Sequence, residues 1–200
     1  MNGFEIFPFA SFLILVLLIS GNIFLLKRKG VSVNQGFTKG KYPFRNFYFI
    51  FLLIFFLWLF ETAKPVFQIS VSLLPNFVTT SIFNSLILKI SGTLVLIMAL
   101  VLLTVTLIHF KNSFRFGLSE KNHGKLITEG IFSISRNPFF LSVEIYFLGV
   151  ALVFPNFFFI GFAVLAIVSI HFFILKEEKF MRKIYGADYE KYLRKVRRYF

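Results

Sequence analysis

The sequence has no cysteine, only three histidines and only nine acidic residues in 200. Without cysteine, the chain has no disulfide, thiolate nucleophile or cysteine-ligated metal or iron–sulfur site. Three histidines (His109, His123 and His171) are too few for the histidine-rich di-iron centres of membrane desaturases. A Gly-rich phosphate-binding loop and a zinc-protease histidine pair are also missing. We therefore expect no metal site.

Charged residues are also scarce, at 16%, whereas 57% of the residues are apolar and 32 of them are phenylalanine. Soluble domains are about one quarter charged. Residues 90–110 and 145–175 contain no Asp, Glu, Lys or Arg. Since about 20 apolar residues cross a bilayer as a helix, these runs predict an integral membrane protein. The first run begins near Met1 without a basic leader or cleavage site, so we expect it to be a retained helix.

The net charge of +13 comes from basic residues that cluster in segments 27–45, 111–138 and 176–200. Basic residues concentrate in cytoplasmic loops, so these segments should share the cytoplasmic side, where anionic lipid headgroups attract them. No surface of mixed aromatic and basic residues suited to base stacking lies outside the apolar runs. We therefore expect the bilayer as a partner and no nucleic acid.

Placing the three basic segments on one side predicts five spans and an N-terminus outside. The spans are 4–26, 44–62, 82–110, 139–154 and 157–175. Pro155-Asn156 supplies the turn of the last hairpin. Residues 65–81 are uncharged but contain Pro65 and Pro75, which favours an interfacial or re-entrant segment.

The predicted fold class is therefore all-α, a helical membrane bundle of about five transmembrane helices. Residues 1–110 form its N-terminal transmembrane helices, and residues 111–200 hold the helical hairpin 139–175 and a tail. Beyond Lys176, apolar residues recur at helical spacing, which predicts an amphipathic stretch on the headgroups or against the bundle. Gly186 would interrupt that stretch.

Polar side chains inside a bilayer are costly, so each one retained there is a candidate site. Glu144 lies seven residues after Asn137 and four after Phe140, which puts the three on one helix face. Alternatively, Glu144 and Lys89 form an ion pair that only locks the bundle. His109 and His171 are expected to be satisfied interior or interfacial histidines.

Residues 123–144, HGKLITEGIFSISRNPFFLSVE, resemble the signature of the isoprenylcysteine carboxyl methyltransferase and phospholipid methyltransferase superfamily. That signature is Leu-Val-x-x-Gly-x-Tyr and Arg-His-Pro-x-Tyr-x-Gly, followed by a helical hairpin, a Glu-Glu pair and Gly-x-x-Tyr-x-x-Tyr. The matching residues here are Leu126-Ile127, Gly130, Phe132, Arg136-Asn137-Pro138, Phe140, Glu177-Glu178, Gly186, Tyr189 and Tyr192. Each element alone is weak, whereas the ordered set is specific.

The resemblance implies a membrane methyltransferase that binds S-adenosylmethionine at the cytoplasmic end of the hairpin, with a lipidic acceptor entering from the bilayer. The cofactor-binding residues that it implies are Lys125, Leu126, Ile127, Phe132, Asn137, Pro138, Phe139, Phe140 and Glu177. Asn137 and Glu144 are the expected catalytic residues. An amine acceptor must first lose a proton, and Glu144 is the acid placed to take it, whereas a carboxylate acceptor needs no base.

The sequence departs from the family pattern at several positions. Asn137 replaces the usual His, and Phe132 and Phe140 replace Tyr. Phe173 stands where eukaryotic prenylcysteine enzymes carry an Arg for the substrate carboxylate, so cofactor binding is better supported than a prenylcysteine substrate.

Two other classes stay open. Sterol reductases use a similar stretch to bind NADPH, but their Glu falls at the position of Val143 here, one residue before Glu144. The alternatives are therefore an NADPH-dependent membrane reductase and a non-catalytic membrane protein with the same fold.

Overall fold

The computed structural model describes residues 3–31, 45–110 and 125–200, with side chains from residue 49 onward in the middle range. These ranges are helical and contain no strand, in agreement with the all-α prediction. The helices are α1 (Gly3–Arg28), α2 (Arg45–Phe67), α3 (Asn76–Thr79), α4 (Leu86–Phe110), α5 (Pro138–Val153) and α6 (Phe157–Lys195), with a 3-10 turn at Gly130–Ser133. Much of the predicted basic segments 27–45 and 111–138 lies outside the described residues.

Four of these helices are long and apolar enough to cross a membrane: α1, Phe49–Phe67 of α2, α4, and Phe157–Tyr185 of α6. The fifth, α5, is apolar but has only 16 residues, or about 24 Å at 1.5 Å per residue. It forms the expected hairpin with α6, since the ring centroids of Phe147 and Phe162 lie 5.1 Å apart and those of Phe140 and Phe173 lie 5.4 Å apart. Asn156 caps α6 by accepting a hydrogen bond from Phe159 N at 2.9 Å. The chain is a multi-pass membrane protein of about five spans, as predicted.

The second span is longer than the sequence suggested. It was expected to end at residue 62, but α2 continues through Pro65 to Phe67. A proline inside a helix removes one hydrogen bond and its ring crowds the carbonyl four residues earlier, and α2 ends two residues after Pro65. The helix ends instead at Gln68, which has φ 53, with Ile69 N donating to Lys64 O at 3.1 Å.

The last span also continues beyond its predicted end at residue 175. The helix α6 runs without a break through Lys176 and is interrupted only at Gly186, where φ is 51 and ψ is −124. The charged residues after 175 therefore continue the membrane helix, and Gly186 supplies the predicted interruption because glycine adopts positive φ without strain.

Contacts divide the chain into two compact units that each take parts of several helices. The first unit comprises residues 1–14, 41–100 and 144–168. Its core centres on Trp58, which is 1% exposed and stacks on Phe162 with ring centroids 5.4 Å apart. Tyr146 of α5 donates a hydrogen bond to Pro8 O of α1 at 2.8 Å, so this aromatic core is also tied by a buried polar contact.

Close contact between α4 and α5 in this unit depends on glycine. A Cβ added to Gly92 would lie 2.8 Å from Gly149 O and Val153 N, both backbone atoms. This contact places Lys89 near the Val153 end of α5. Glu144 lies nine residues before Val153, which is about 14 Å along the helix. The alternative of a Lys89–Glu144 ion pair is therefore wrong, and Lys89 Nζ binds Glu5 Oε1 of α1 at 2.8 Å.

The second unit comprises residues 15–40, 101–143 and 169–200. One apolar cluster in it joins α1 to α4 through Leu26, Leu103 and Leu107, with Phe139 of α5 packed against it. Another contains Tyr189, Tyr192 and Val196 from α6 and the residues just after it, with Leu126 against them. Most of the residues singled out by the family resemblance lie in this unit.

We predict that Gly92→Ala lowers the thermal unfolding midpoint in detergent, because the added methyl must displace backbone atoms of α5. Overpacking of this kind costs about 1–3 kcal/mol. The matched control is Gly161→Ala, since nothing lies within 4 Å of a Cβ at Gly161. Equal midpoints for the two variants would contradict the close packing of α4 on α5.

Candidate active site

The segment before α5 is shaped by a glycine with no room for a side chain. Gly130 has φ 61, and a Cβ there would collide with the ring of His109. That ring is fixed on its own helix, with Nδ1 2.8 Å from Val105 O. Gly130 therefore allows the 3-10 turn to approach α4 closely. The ring of His109 has a hydrogen-bond partner, as expected.

Phe132 follows in the same turn and is only 5% exposed. Its ring meets Phe110 of α4 edge-on at a centroid distance of 4.9 Å. Its carbonyl accepts a hydrogen bond from the Tyr192 hydroxyl at 2.6 Å. Burial raises the pKa of Tyr192 well above its usual range, so the hydroxyl stays neutral and keeps donating. The apolar stripe of the predicted amphipathic tail thus packs against the segment before α5, through Tyr192 and through Leu126.

A buried carboxylate connects three segments of the second unit. Glu178 of α6 accepts from Arg198 in bidentate fashion, with Nε–Oε1 at 3.0 Å and Nη2–Oε2 at 2.9 Å. Arg136 Nη2 lies 3.0 Å from the same Oε1. The hydrogen bond to Glu178 raises the pKa of Arg198, which keeps its charge. Charge-assisted bidentate pairs are among the stronger polar contacts in proteins.

The chain just before α5 pairs with residues 197–198. Arg136 N donates to Arg197 O at 3.1 Å, and the bridge between Ser135 and Arg197 is parallel. The side-chain amide of Asn137 donates to Arg198 O at 3.2 Å. Pro138 then begins α5, a position that suits its fixed φ and missing N–H. The start of α5 is therefore held by both backbone and side-chain contacts.

Glu177, beside Glu178, differs from it in its hydrogen bonding. Its Oε2 is buried and has no hydrogen-bond partner in the part of the chain that the structure describes. One turn earlier, Phe173 packs on Phe140 of α5 with centroids 5.4 Å apart. An unsatisfied buried acceptor costs about 1–3 kcal/mol. This carboxylate is therefore a place where a ligand that donates a hydrogen bond would be stabilised.

Residues 87–188 match the model of the family described as phospholipid methyltransferase. The match covers just over half of the chain and spans α4, the turn, α5 and α6 to beyond Gly186. The chain belongs to the phospholipid methyltransferase family. No curated protein and no solved structure matches it. The predicted superfamily is thereby confirmed, and membership implies a membrane methyltransferase that acts on lipids.

In this phospholipid methyltransferase family member, the second unit contains most of the predicted site. It holds Lys125, Leu126, Ile127, Phe132, Asn137, Pro138, Phe139, Phe140 and Glu177. Lys125 is exposed, and Glu144, which is 6% exposed, belongs to the first unit. The roles of these residues stay predictions.

Sequence reasoning missed the ionic group around Glu178. In the sequence, Arg136 stands out only as part of a motif, and Arg198 is one of nine basic residues in segment 176–200. Nothing in the local pattern marks Arg198, because its partner lies 20 residues earlier. The expectation that His171 is satisfied is confirmed, since its Nδ1 lies 2.9 Å from the Tyr199 hydroxyl.

We predict that Glu178→Gln lowers the unfolding midpoint by on the order of 5–10 °C, because it leaves two arginines without a buried counter-charge. Glu190→Gln is the matched control on the same helix. Its pair with Arg182 is about half exposed on both sides, and such pairs contribute at most about 1 kcal/mol. Thermal unfolding of both variants in one detergent measures the difference, and a midpoint unchanged by Glu178→Gln would refute the structural role of that carboxylate.

Proposed function

We propose that this chain transfers a methyl group from S-adenosylmethionine to the amine headgroup of a phospholipid. Family membership supports a lipid acceptor, and Phe173 at the usual position of a carboxylate-binding Arg argues for an amine over a prenylcysteine carboxylate. The observation that carries the cofactor assignment is the buried Glu177 Oε2, which lacks a hydrogen-bond partner among the described residues.

The residues of the second unit fit S-adenosylmethionine chemically. Glu177 would accept a hydrogen bond from its amine or ribose at Oε2, which has no other partner among the described residues. Phe140 and Phe173 offer aromatic faces of the kind that attract cations. Leu126 and Ile127, both partly buried, would contact apolar parts of S-adenosylmethionine. When bound, the cofactor would supply a methyl group on a sulfonium: a nitrogen lone pair would bond to the methyl carbon as the carbon–sulfur bond breaks, and the neutral thioether would leave.

Methyl transfer of this kind requires alignment of donor and acceptor and exclusion of water. Alignment needs a rigid frame, and the second unit has one. The contacts of Arg136 and Asn137 fix the entry to α5, and the Tyr192–Phe132 hydrogen bond fixes the preceding turn. Phe132, Asn137 and Glu178 are buried, so water has little access to these contacts.

We assign the base for the amine to Glu144. A protonated amine has no free lone pair, so an acid side chain must take its proton before transfer. Glu144 is the only acidic residue of α5, and the helix puts it one turn from Phe140 on the same face.

We predict that Glu177→Gln weakens S-adenosylmethionine binding by about 1.5–3 kcal/mol, because it replaces one of the two acceptor oxygens with a donor NH2 group. Titration calorimetry of the detergent-purified protein measures this, with Glu190→Gln as a control of equal charge change on an exposed surface. Equal affinities for wild type and Glu177→Gln would remove Glu177 from the cofactor site.

The same titration, run with NADPH, separates the function classes. Saturable binding of S-adenosylmethionine alone supports the methyltransferase. Binding of NADPH instead would indicate a reductase, and binding of neither would indicate a non-catalytic member of the family.

We further predict that Glu144→Gln slows methyl transfer to phosphatidylethanolamine by about 10²–10⁴-fold, with little change in cofactor affinity. The substitution keeps size and hydrogen bonding but cannot accept the proton. Glu61→Gln is the matched control, since Glu61 is also a buried membrane acid, paired with Lys64 at 3.1 Å. Single-turnover transfer of labelled methyl groups measures the rate, and full activity of Glu144→Gln would leave Glu144 a structural residue.

A further inference from the structure

Residues 197–199 run beside the candidate cofactor site, and each of them contacts either the segment 135–137 or α6. We call them the strap. Arg197 O accepts from Arg136 N at 3.1 Å, and Arg198 O accepts from both Ser135 Oγ at 3.3 Å and Asn137 Nδ2 at 3.2 Å. The Tyr199 hydroxyl lies 2.9 Å from His171 Nδ1, with the two rings stacked at 25°. The strap therefore connects the entry to α5 with α6.

The strap contacts α6 at two residues that lie two helical turns apart. His171 and Glu178 are seven residues apart and so lie on one face of α6. Tyr199 binds the first, and the Arg198 guanidinium binds both oxygens of the second. Because Arg136 also binds Glu178, at 3.0 Å, one carboxylate fixes both the strap and the segment that it covers.

The contact between the strap and Asn137 fixes the side chain of a proposed cofactor-binding residue. Its amide has two donor hydrogens on Nδ2 and a separate acceptor, Oδ1. With Nδ2 bound to Arg198 O, the plane of the amide is fixed and so is the direction of Oδ1. Asn137 is only 8% exposed, so water competes little for either atom.

We propose that the strap holds Arg136 and Asn137 in the geometry that binds S-adenosylmethionine, with Arg198 as the positioning residue. The proposal rests on the proposed function and adds a requirement to it. Arg198 acts through Glu178 and Asn137, without touching the reacting atoms. Arginine suits this role because its planar fork makes two parallel bonds to a carboxylate, whereas lysine offers one point charge.

The test compares methyl-transfer kinetics of Arg198→Met, Arg198→Lys and wild type. We expect Arg198→Met to raise KM for S-adenosylmethionine about tenfold, the loss expected for a charge-assisted contact, with kcat at saturation within about twofold. Arg198→Lys should recover part of the affinity. Arg194→Met, an exposed arginine four residues earlier, is the control and should match wild type.

A change in kcat alone, with KM unchanged, would mean that Arg198 only stabilises the fold, and would overturn the proposal. If Arg198→Met does not yield folded protein, Arg198→Lys carries the test, because it keeps the charge and loses the bidentate geometry. Equal KM for Arg198→Lys and wild type would then be the contradicting result.

A second readout does not depend on the cofactor. Ser135 is 2% exposed and lies under the strap, and the chain has no cysteine, so Ser135→Cys gives a single thiol. We expect Arg198→Met to accelerate maleimide labelling of this thiol about tenfold, because loss of the bidentate contact with Glu178 makes local opening of the strap more frequent. An equal labelling rate with and without Arg198→Met would overturn the proposal that Arg198 holds the strap. If the wild type fails to bind S-adenosylmethionine, the proposed function fails, and faster labelling in Arg198→Met would still show that Arg198 closes the strap over Ser135.

Discussion

The second unit depends on one buried carboxylate that two arginines share. Glu178, 6% exposed, holds Arg136 at the entry to α5 and Arg198 beyond the end of α6. A charge buried in a low-dielectric interior is costly unless it is paired and hydrogen-bonded, and here both carboxylate oxygens are bonded. The position of the whole segment 135–137, and of Asn137 in particular, follows from this pairing.

Glu177, its neighbour in sequence, shows the opposite condition. Its Oε2 is buried without a partner among the described residues, although Glu178 beside it is fully engaged. Successive residues of a helix point about 100° apart, so two adjacent acids can serve different purposes. Glu178 stabilises the segment before α5, and we propose that Glu177 binds a ligand. This difference in hydrogen bonding between Glu177 and Glu178 is the physical basis for the proposed cofactor site.

The sequence was sufficient to predict the all-α membrane fold, the hairpin turn at Pro155-Asn156 and the family. These features depend on long apolar runs and on motifs within short stretches of chain. It was insufficient where a residue's partner lies far away in sequence. Lys89 binds Glu5, 84 residues earlier, and Arg198 binds Glu178. Helix ends were also misjudged, because Pro65 and the charges after residue 175 usually end a membrane helix but are carried here within α2 and α6.

Transfer of a labelled methyl group from S-adenosylmethionine into phosphatidylethanolamine vesicles, catalysed by the purified wild-type chain, tests the central claim most directly. The account predicts time-dependent label in the lipid phase at the headgroup amine, with no transfer to a matched lipid whose headgroup nitrogen is already fully methylated. Label that never enters the amine lipid, from protein that is folded and supplied with donor, would contradict it.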